Sequence, residues 1–493
     1  MKQAFCAVIM FVILTSSSPS WAGTSLPFIV NMSEAVNVDT TGGTPRIALD
    51  VGGVTRYASY SAGTGTSSLT FTYDAVAGDV DLDGVTLSSP LDLNGGTITD
   101  LNGNPETDLT FTVPNTSGVK IDYPSLSMDF IYDADGRYTL NDTAYNDLPS
   151  FLGAVNGTFT RNSVATYFDS TGTLQTALVN QPRFDYDPVT HSPKGILIEE
   201  RRTNLLTNTQ IITAVPTNGT LTFMPSEIGP DGVTGHVYRL QLPASSGTYL
   251  SFGNGVGATS TFSIYVRQYG GDKNFSLLLN SSTSGPTKTA TSQWIRYSES
   301  YISSAGINGI NNADDSFATD VLIAFPQLEQ GGFATSFIPT TSTVVTREKD
   351  IFNIPYIPSL PFGMYGEIEF PSPMNIVPRF IGTNNDGRSP LETSTNGIRT
   401  NLWNGTTSLP GPTTSALAGR IVKAASRHTS TGRAVTSDGL VPTSDGGTIP
   451  MDWTFISPGH GTGTNTYSNG HVRSIKIYSS ATIPDAQLQL LTQ

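Results

Sequence analysis

The apolar residues of this chain fall in short runs that end at turns, and several runs alternate with a period of two. Ser68 to Tyr73 (SLTFTY), Asp108 to Val113 (DLTFTV) and Val119 to Tyr123 (VKIDY) place polar and apolar side chains in turn, as strands with one buried face do. Between and around them stand Gly42-Gly43, Gly52-Gly53, Asp83-Gly84, Gly95-Gly96 and Asn102-Gly103, which are turn signals. This pattern predicts an all-β chain. Charged residues make up only 13% of it, about half the usual share, so its polar faces must come from Ser, Thr, Asn and Gly on twisted sheets rather than from long surface helices.

A length of 493 residues predicts three domains. Residues 23–125 read as a first β-sandwich, 126–155 as a turn-rich connector, 156–347 as a jelly roll of two packed sheets and 348–493 as a third sandwich. In the second unit, Gly157 to Thr160, Thr261 to Val266, Phe275 to Leu279, Trp294 to Tyr297 and Val321 to Phe325 are expected strands. In the third, Tyr365 to Phe370, Trp453 to Ile456 and His471 to Tyr478 are expected strands, and Ala481 to Leu491 is the best short helix, a cap on a sheet.

The first 22 residues read as a secretory signal: Lys2 near the start, an apolar core from Ala4 to Leu14, then Thr15 to Ala22 ending in small residues, with cleavage expected after Ala22. Cys6, the single cysteine, falls inside that segment, so the exported chain is expected to have no disulfide, Cys metal site or Cys nucleophile. No later run has the length of a membrane span. The net charge of −14, with Lys and Arg dispersed, argues against nucleic acid as a partner.

Four stretches resemble known families. Thr160 to Leu206 (TRNSVATYFDSTGTLQTALVNQPRFDYDPVTHSPKGILIEERRTNLL) resembles a block of phage, prophage and related bacterial exported structural proteins, where it opens a carbohydrate-binding-like jelly roll. Pro326 to Arg347 (PQLEQGGFATSFIPTTSTVVTR) looks like the block that closes the same module. Asn469 to Thr492 resembles the end of concanavalin A-like, laminin-G-like sandwiches, a final strand followed by a short helix with a D-A-x-L pattern. Val38 to Asn104 looks like the immunoglobulin-like or cadherin-like modules of bacterial surface proteins. These resemblances imply an architecture and a general role in binding or display.

Four groups of residues carry possible chemistry. Asp79, Asp81 and Asp83 alternate in one loop, with Asp74 and Asp100 in neighbouring turns, and converging carboxylates of this kind suit calcium; the competing reading is a solvated turn in which they cap backbone amides. Arg161, Arg183, Asp185, Asp187, Glu199, Glu200, Arg201 and Arg202 concentrate charge in a chain poor in it, which predicts a buried ion-pair network, or else a face for a polar ligand. Aromatic platforms for a sugar are sought in Tyr265, Trp294 and Tyr297 of the second unit and in Trp403, Trp453 and His471 of the third. Glu367 and Glu369, two apart on one strand, invite a glycosidase reading, but the sequence supplies no cleft or partner for them. The five histidines are scattered, with no HExxH and no GxSxG ahead of a helix.

These features point to an exported, non-enzymatic protein that binds a glycan or polysaccharide surface, possible ligands of which are Trp294, Tyr265, Tyr297 and Trp403. The rival readings are a structural subunit of a fibre, sheath or phage-like appendage that assembles with itself or with partner proteins, and a glycan-active enzyme.

Overall fold

The computed structural model describes residues 25–493 except 132–136, 255–257, 280–283, 303–305, 313–316, 372–378, 386–387, 395–396, 403–406, 414–418 and 464–465. The segment read as a signal, Cys6 and Trp403 lie outside the described residues. What is described is all-β, with two short helices, Leu148–Val155 and Asp485–Leu490.

The N-terminal unit is a six-stranded antiparallel sheet in the order Thr86–Asp92, Arg46–Val51, Val54–Ala62, Thr66–Asp74, Ser25–Asp39, Thr97–Asp100. The period-two pattern does what it predicts: Leu26, Phe28, Val30 and Met32 point inward from one strand and meet Leu69, Phe71 and Tyr73 from the next. Gly52 and Gly53, both at positive φ, make the two-residue hairpin between Val51 and Val54, the conformation that such a turn demands. Asp108 to Val113 does not form a regular strand. Asp108 accepts from the Thr110 backbone and hydroxyl, and the Phe111 N–H goes to the Ser89 hydroxyl, so side chains take the backbone partners a ladder would use.

The jelly-roll core lies within residues 216–330. One sheet runs Pro216–Thr217, Tyr249–Asn254, Ile307–Asn311, Asn274–Leu279, Lys288–Thr289, and the other Thr220–Phe223, Tyr238–Leu242, Thr319–Gln330, Thr259–Gln268, Ile295–Ile302. Leu240, Phe262, Ile264, Phe275, Leu277, Ile310 and Ile323 fill the space between them.

The C-terminal sandwich draws on more of the chain than residues 348–493. Its ten-stranded sheet is built on Gly470–Ser479, which pairs on one side with Phe362–Glu369 and on the other with both Leu126–Asp129 and Pro193–Ile198. Strands from the expected connector therefore extend this sheet, because Leu126, Met128 and Tyr138 alternate inward and join its core with Met364, Ile475 and Ile477. The helix Leu148–Val155 closes that end. Asp147 caps the Ser150 N–H, Leu148, Phe151 and Val155 face the core, and Asn156 ends the helix in the left-handed conformation.

The segment that reads as the opening of a jelly roll works as a clasp between the two sandwiches. Arg202–Asn204 pairs with Val345–Arg347, Thr158–Thr160 pairs with Ile351–Asn353, and Pro193–Ile198 enters the C-terminal sheet. The N-terminal unit docks on the outer face of that sheet: Asp122 accepts from the Tyr478 hydroxyl at 2.7 Å and from Lys476 at 2.5 Å, while Gln487 of the last helix accepts from the Leu82 N–H at 2.7 Å.

Candidate functional site

Charge concentrates where the clasp meets both sandwiches. Arg183, wholly buried, donates through Nη1 to Glu199 at 2.7 Å and through Nη2 to Asp350 at 2.6 Å. Arg161 reaches Asp350 at 3.0 Å, and Arg347 pairs with Glu199. Burial alone pushes the Glu199 carboxyl up, but the Arg347 and Arg183 guanidinium groups hold it well below the usual carboxylate range. The expected ion-pair network is present in Arg161, Arg183 and Glu199, and it recruits Arg347 and Asp350 from the far end of the module, so two sequence blocks are tied by buried charge-assisted bonds. Glu200 pairs with Arg202, and Arg201 with Glu348. Asp187 caps its own turn through the N–H groups of Val189 and Thr190.

Above this network opens a cavity of about 240 Å³ that both sandwiches line. Strand register places its polar wall: Leu197 stands opposite His471 on one side of Gly470–Ser479, and Glu369 stands opposite it on the other. The His471 imidazole bridges two carboxylates, Nε2 to Asp185 Oδ2 at 2.8 Å and Nδ1 to Glu369 Oε2 at 3.1 Å, and Lys194 Nζ reaches Glu369 Oε1 at 3.1 Å. Burial and the Lys194 charge push His471 down, and the bonds to Asp185 and Glu369 more than offset them, so it titrates above its ordinary value. Burial pushes Glu369 up, while His471 and Lys194 draw it down to about 2. The result is a chain of alternating charge, Lys194, Glu369, His471, Asp185.

The opposite wall comes from the outer face of the jelly roll. Tyr265 and Arg296 are cross-strand partners there, with the guanidinium 5.7 Å from the ring centre. A bulge between Ser263 and Tyr265 shifts their strand against Thr319–Gln330, and Phe325 on the facing strand sits at φ 53°. A bulky aromatic at positive φ is a strained residue of the kind that gathers at functional sites. Phe325 is held there by stacking on Phe337 and by an edge contact with Tyr265. Tyr265 is 2% exposed, yet its hydroxyl has no hydrogen-bond partner among the described residues. Burial, more than Arg296 offsets it, pushes that hydroxyl up to about 12. Arg296 gives Nη1 to the Thr335 carbonyl and Nη2 to Ser263, and its buried Nε has no partner. Unmade bonds of buried donors cost roughly 1–3 kcal/mol each.

Of the expected platform residues that are described, Tyr265 and His471 line the cavity. Trp294 packs partly buried beneath Arg267 and donates to the Ile228 carbonyl at 3.0 Å. Tyr297 points the other way, into the jelly-roll core, and donates to the Thr289 carbonyl. Trp453 is buried in the C-terminal core. Glu367 and Glu369 do not act as a pair: Glu367 is taken by Arg473 and the Tyr365 hydroxyl, and only Glu369 reaches the cavity. Lys194 and Arg296 carried no signal in the sequence. The turn aspartates do not all meet at one point: Asp81 and Asp83 lie close enough for Asp83, after burial, to help push the Asp81 carboxyl up, while Asp79 and Asp100 are engaged elsewhere. Asp79 accepts from Arg56 at 2.7 Å and from the Tyr73 hydroxyl, Asp81 from the Gly52 and Gly84 N–H groups, and Asp83 from Gln487, while Asp100 caps the separate Asn102–Asn104 turn. Among the described residues no three carboxylate, His or Cys groups are placed to share a metal ion.

No protein-family model matches the chain, and no curated protein matches it. Among solved structures it is similar to domain 4 of a GH43 extracellular arabinanase from Geobacillus stearothermophilus in complex with arabinotriose, at 13% identity over 33% of this chain and 83% of that one, with a TM-score of 0.24. It is also similar to a Trypanosoma rangeli sialidase in complex with sialic acid, at 9% identity over 95% of this chain and 68% of that one, with a TM-score of 0.22. Likenesses at these scores carry no argument about the site, which stands on its own residues.

Proposed function

We propose that the protein is an exported glycan-binding protein that works without a covalent step, and that its ligand site is the cavity between the jelly roll and the C-terminal sandwich. The observation that carries this reading is Tyr265, a nearly fully buried side chain whose hydroxyl stands unpartnered, among the described residues, at the wall of a concave site that combines apolar surface with a few charged groups. Ligand pockets of drug size run to about 300–1,000 Å³, so 240 Å³ suits one sugar-sized unit of a longer chain. The titratable groups favour binding over catalysis. A general acid or base works best with a pKa near the operating pH, whereas Glu369 is drawn to about 2 and both nitrogens of His471 are committed to carboxylates.

A glycan array on the purified, folded chain tests the proposal. Selective binding that is lost in Tyr265→Phe is the expected result. Absence of any binding, or conversion of a bound glycan to product, sinks it, and filaments seen by negative-stain microscopy in that case would favour the structural-subunit reading.

A further inference from the structure

We infer that the cavity takes a sugar unit bearing a carboxylate, with Arg296 and Tyr265 as the groups that receive it. The inference rests on the glycan-binding reading and narrows its ligand. It follows from which hydrogen-bonding groups of the cavity are used and which are left.

The acceptors are used. Asp185 Oδ1 takes the Phe168 N–H at 2.6 Å and Oδ2 takes His471. Glu369 is shared between Lys194 and His471. Glu199 Oε1 takes the Ser336 N–H at 2.7 Å, and Oε2 takes Arg183, Arg347 and the Ser336 hydroxyl. The donors are left over: the Tyr265 hydroxyl has no partner among the described residues, and Arg296 Nη1 and Nη2 each keep a second hydrogen beyond the ones given to Thr335 and Ser263, while the unpartnered Nε–H is shut away from the cavity. A ligand that completes this site must bring acceptors, and adjacent hydrogens on one guanidinium match the two oxygens of a planar carboxylate.

The charge balance agrees. Lys194, His471 and Arg296 line the cavity against Asp185, Glu199 and Glu369. Behind Glu199, the guanidinium groups of Arg161, Arg183 and Arg347 share only one further carboxylate, Asp350. With Glu329, buried and bonded to Thr335 of the lining, six cationic groups thus face five carboxylates in a protein whose net charge is −14. Asp169 and Asp187 stand outside the lining, each bound by the N–H groups of its own turn. A low-dielectric pocket with surplus positive charge and unsatisfied donors favours an anionic group over a neutral hydroxyl.

The test is calorimetric titration of the full chain with D-glucuronate, D-galacturonate, their methyl esters, their neutral parent sugars and glucose 6-sulfate, each repeated on Tyr265→Phe and Arg296→Gln. A uronate is expected to bind at least roughly tenfold more tightly than its ester or parent, as the loss of a hydrogen bond to a charged group implies. Tyr265→Phe, which keeps the ring in its packing, is expected to weaken that binding about tenfold at an unchanged melting temperature, so the result does not depend on Arg296→Gln folding well. Equal binding of uronate and parent sugar overturns the carboxylate assignment and leaves the glycan reading standing. Equal binding of the 6-sulfate also overturns it, since charge alone would then be read. Failure of every sugar overturns both.

Discussion

Two charged clusters meet at Glu199 and Ser336, and they use the same residue types to different ends. In the inner one, Arg161, Arg183 and Arg347 enclose Glu199 and Asp350, all nearly or wholly buried, and the carboxylates are saturated with donors. In the outer one, Lys194, Glu369, His471 and Asp185 line a cavity, and across it stands the Tyr265 hydroxyl, which has no partner among the described residues and borders open space, whereas the unpartnered Nε–H groups of Arg183 and Arg347 in the inner cluster are sealed from any ligand. The first closes the clasp between two sandwiches. The second is held in place by the first, because Pro193–Ile198 and residues 333–338, which carry or flank the outer cluster, are anchored through Glu199 and Ser336. The difference teaches that a cluster of charge marks a site only when satisfied geometry leaves specific groups over in a place that a ligand can reach.

The comparison breaks most visibly at Asp350. Asp350→Asn takes from Arg161 its carboxylate partner and leaves Arg183 with Glu199 alone, so a buried charge goes uncompensated and a loss of about 3–5 kcal/mol is expected. Urea denaturation of the variant measures it. A loss below about 1 kcal/mol would mean that the clasp holds through its strand pairing and core alone.

The outer cluster should announce itself in the pH profile instead. Glu369 titrates at about 2 in the folded chain against an ordinary 4.5, so its stabilisation is complete above pH 4.5 and is lost as the pH falls toward 2. His471 titrates above its ordinary 6.5, so its stabilisation is complete below pH 6.5 and is lost as the pH rises through the folded value. Melting temperature is therefore expected to hold a plateau between these limits. Glu369→Gln should weaken the acid limb and His471→Gln the alkaline one. An alkaline limb that is the same in His471→Gln and in the parent chain would show that the imidazole is not held by its two carboxylates.

How much of this was legible in the sequence follows from the range of each signal. Period-two runs and glycine turns are local, so the all-β class and strands such as Thr259–Gln268 and Gly470–Ser479 could be read directly. The ion-pair network was legible because scarce charge crowded into Arg161 to Arg202, although Asp350, 167 residues from Arg183, was not. The cavity was not legible as a unit. Asp185 and His471 lie 286 residues apart, and only strand register brings them together. Trp294 and Tyr297 were plausible platforms by type, but opposite faces of one segment direct them differently, and Tyr265 faces the cavity because its neighbours Ile264 and Val266 point the other way, into the jelly-roll core. The helix at Leu148–Val155 escaped because its capping residues, Asp147 and Asn156, also read as turn signals.

The smallest effects should come from the acidic loop of the N-terminal unit, which sharpens the comparison from the other side. Asp79 is buried against Arg56 and the Tyr73 hydroxyl, so Asp79→Asn removes charge-assisted bonds and is expected to cost about 1.5 kcal/mol, the low end of the range because Arg56 is partly exposed. Asp100 only caps an exposed turn, and Asp100→Asn is expected to leave the melting temperature where it was. Both melts should be run with calcium and with a chelator. The same loss for Asp79→Asn in either condition fits a carboxylate whose partner is a guanidinium. A loss that appears only when calcium is present would mean that the loop rearranges to gather Asp79, Asp81, Asp83 and Asp100 around an ion, and that its present hydrogen bonds are those of the metal-free turn.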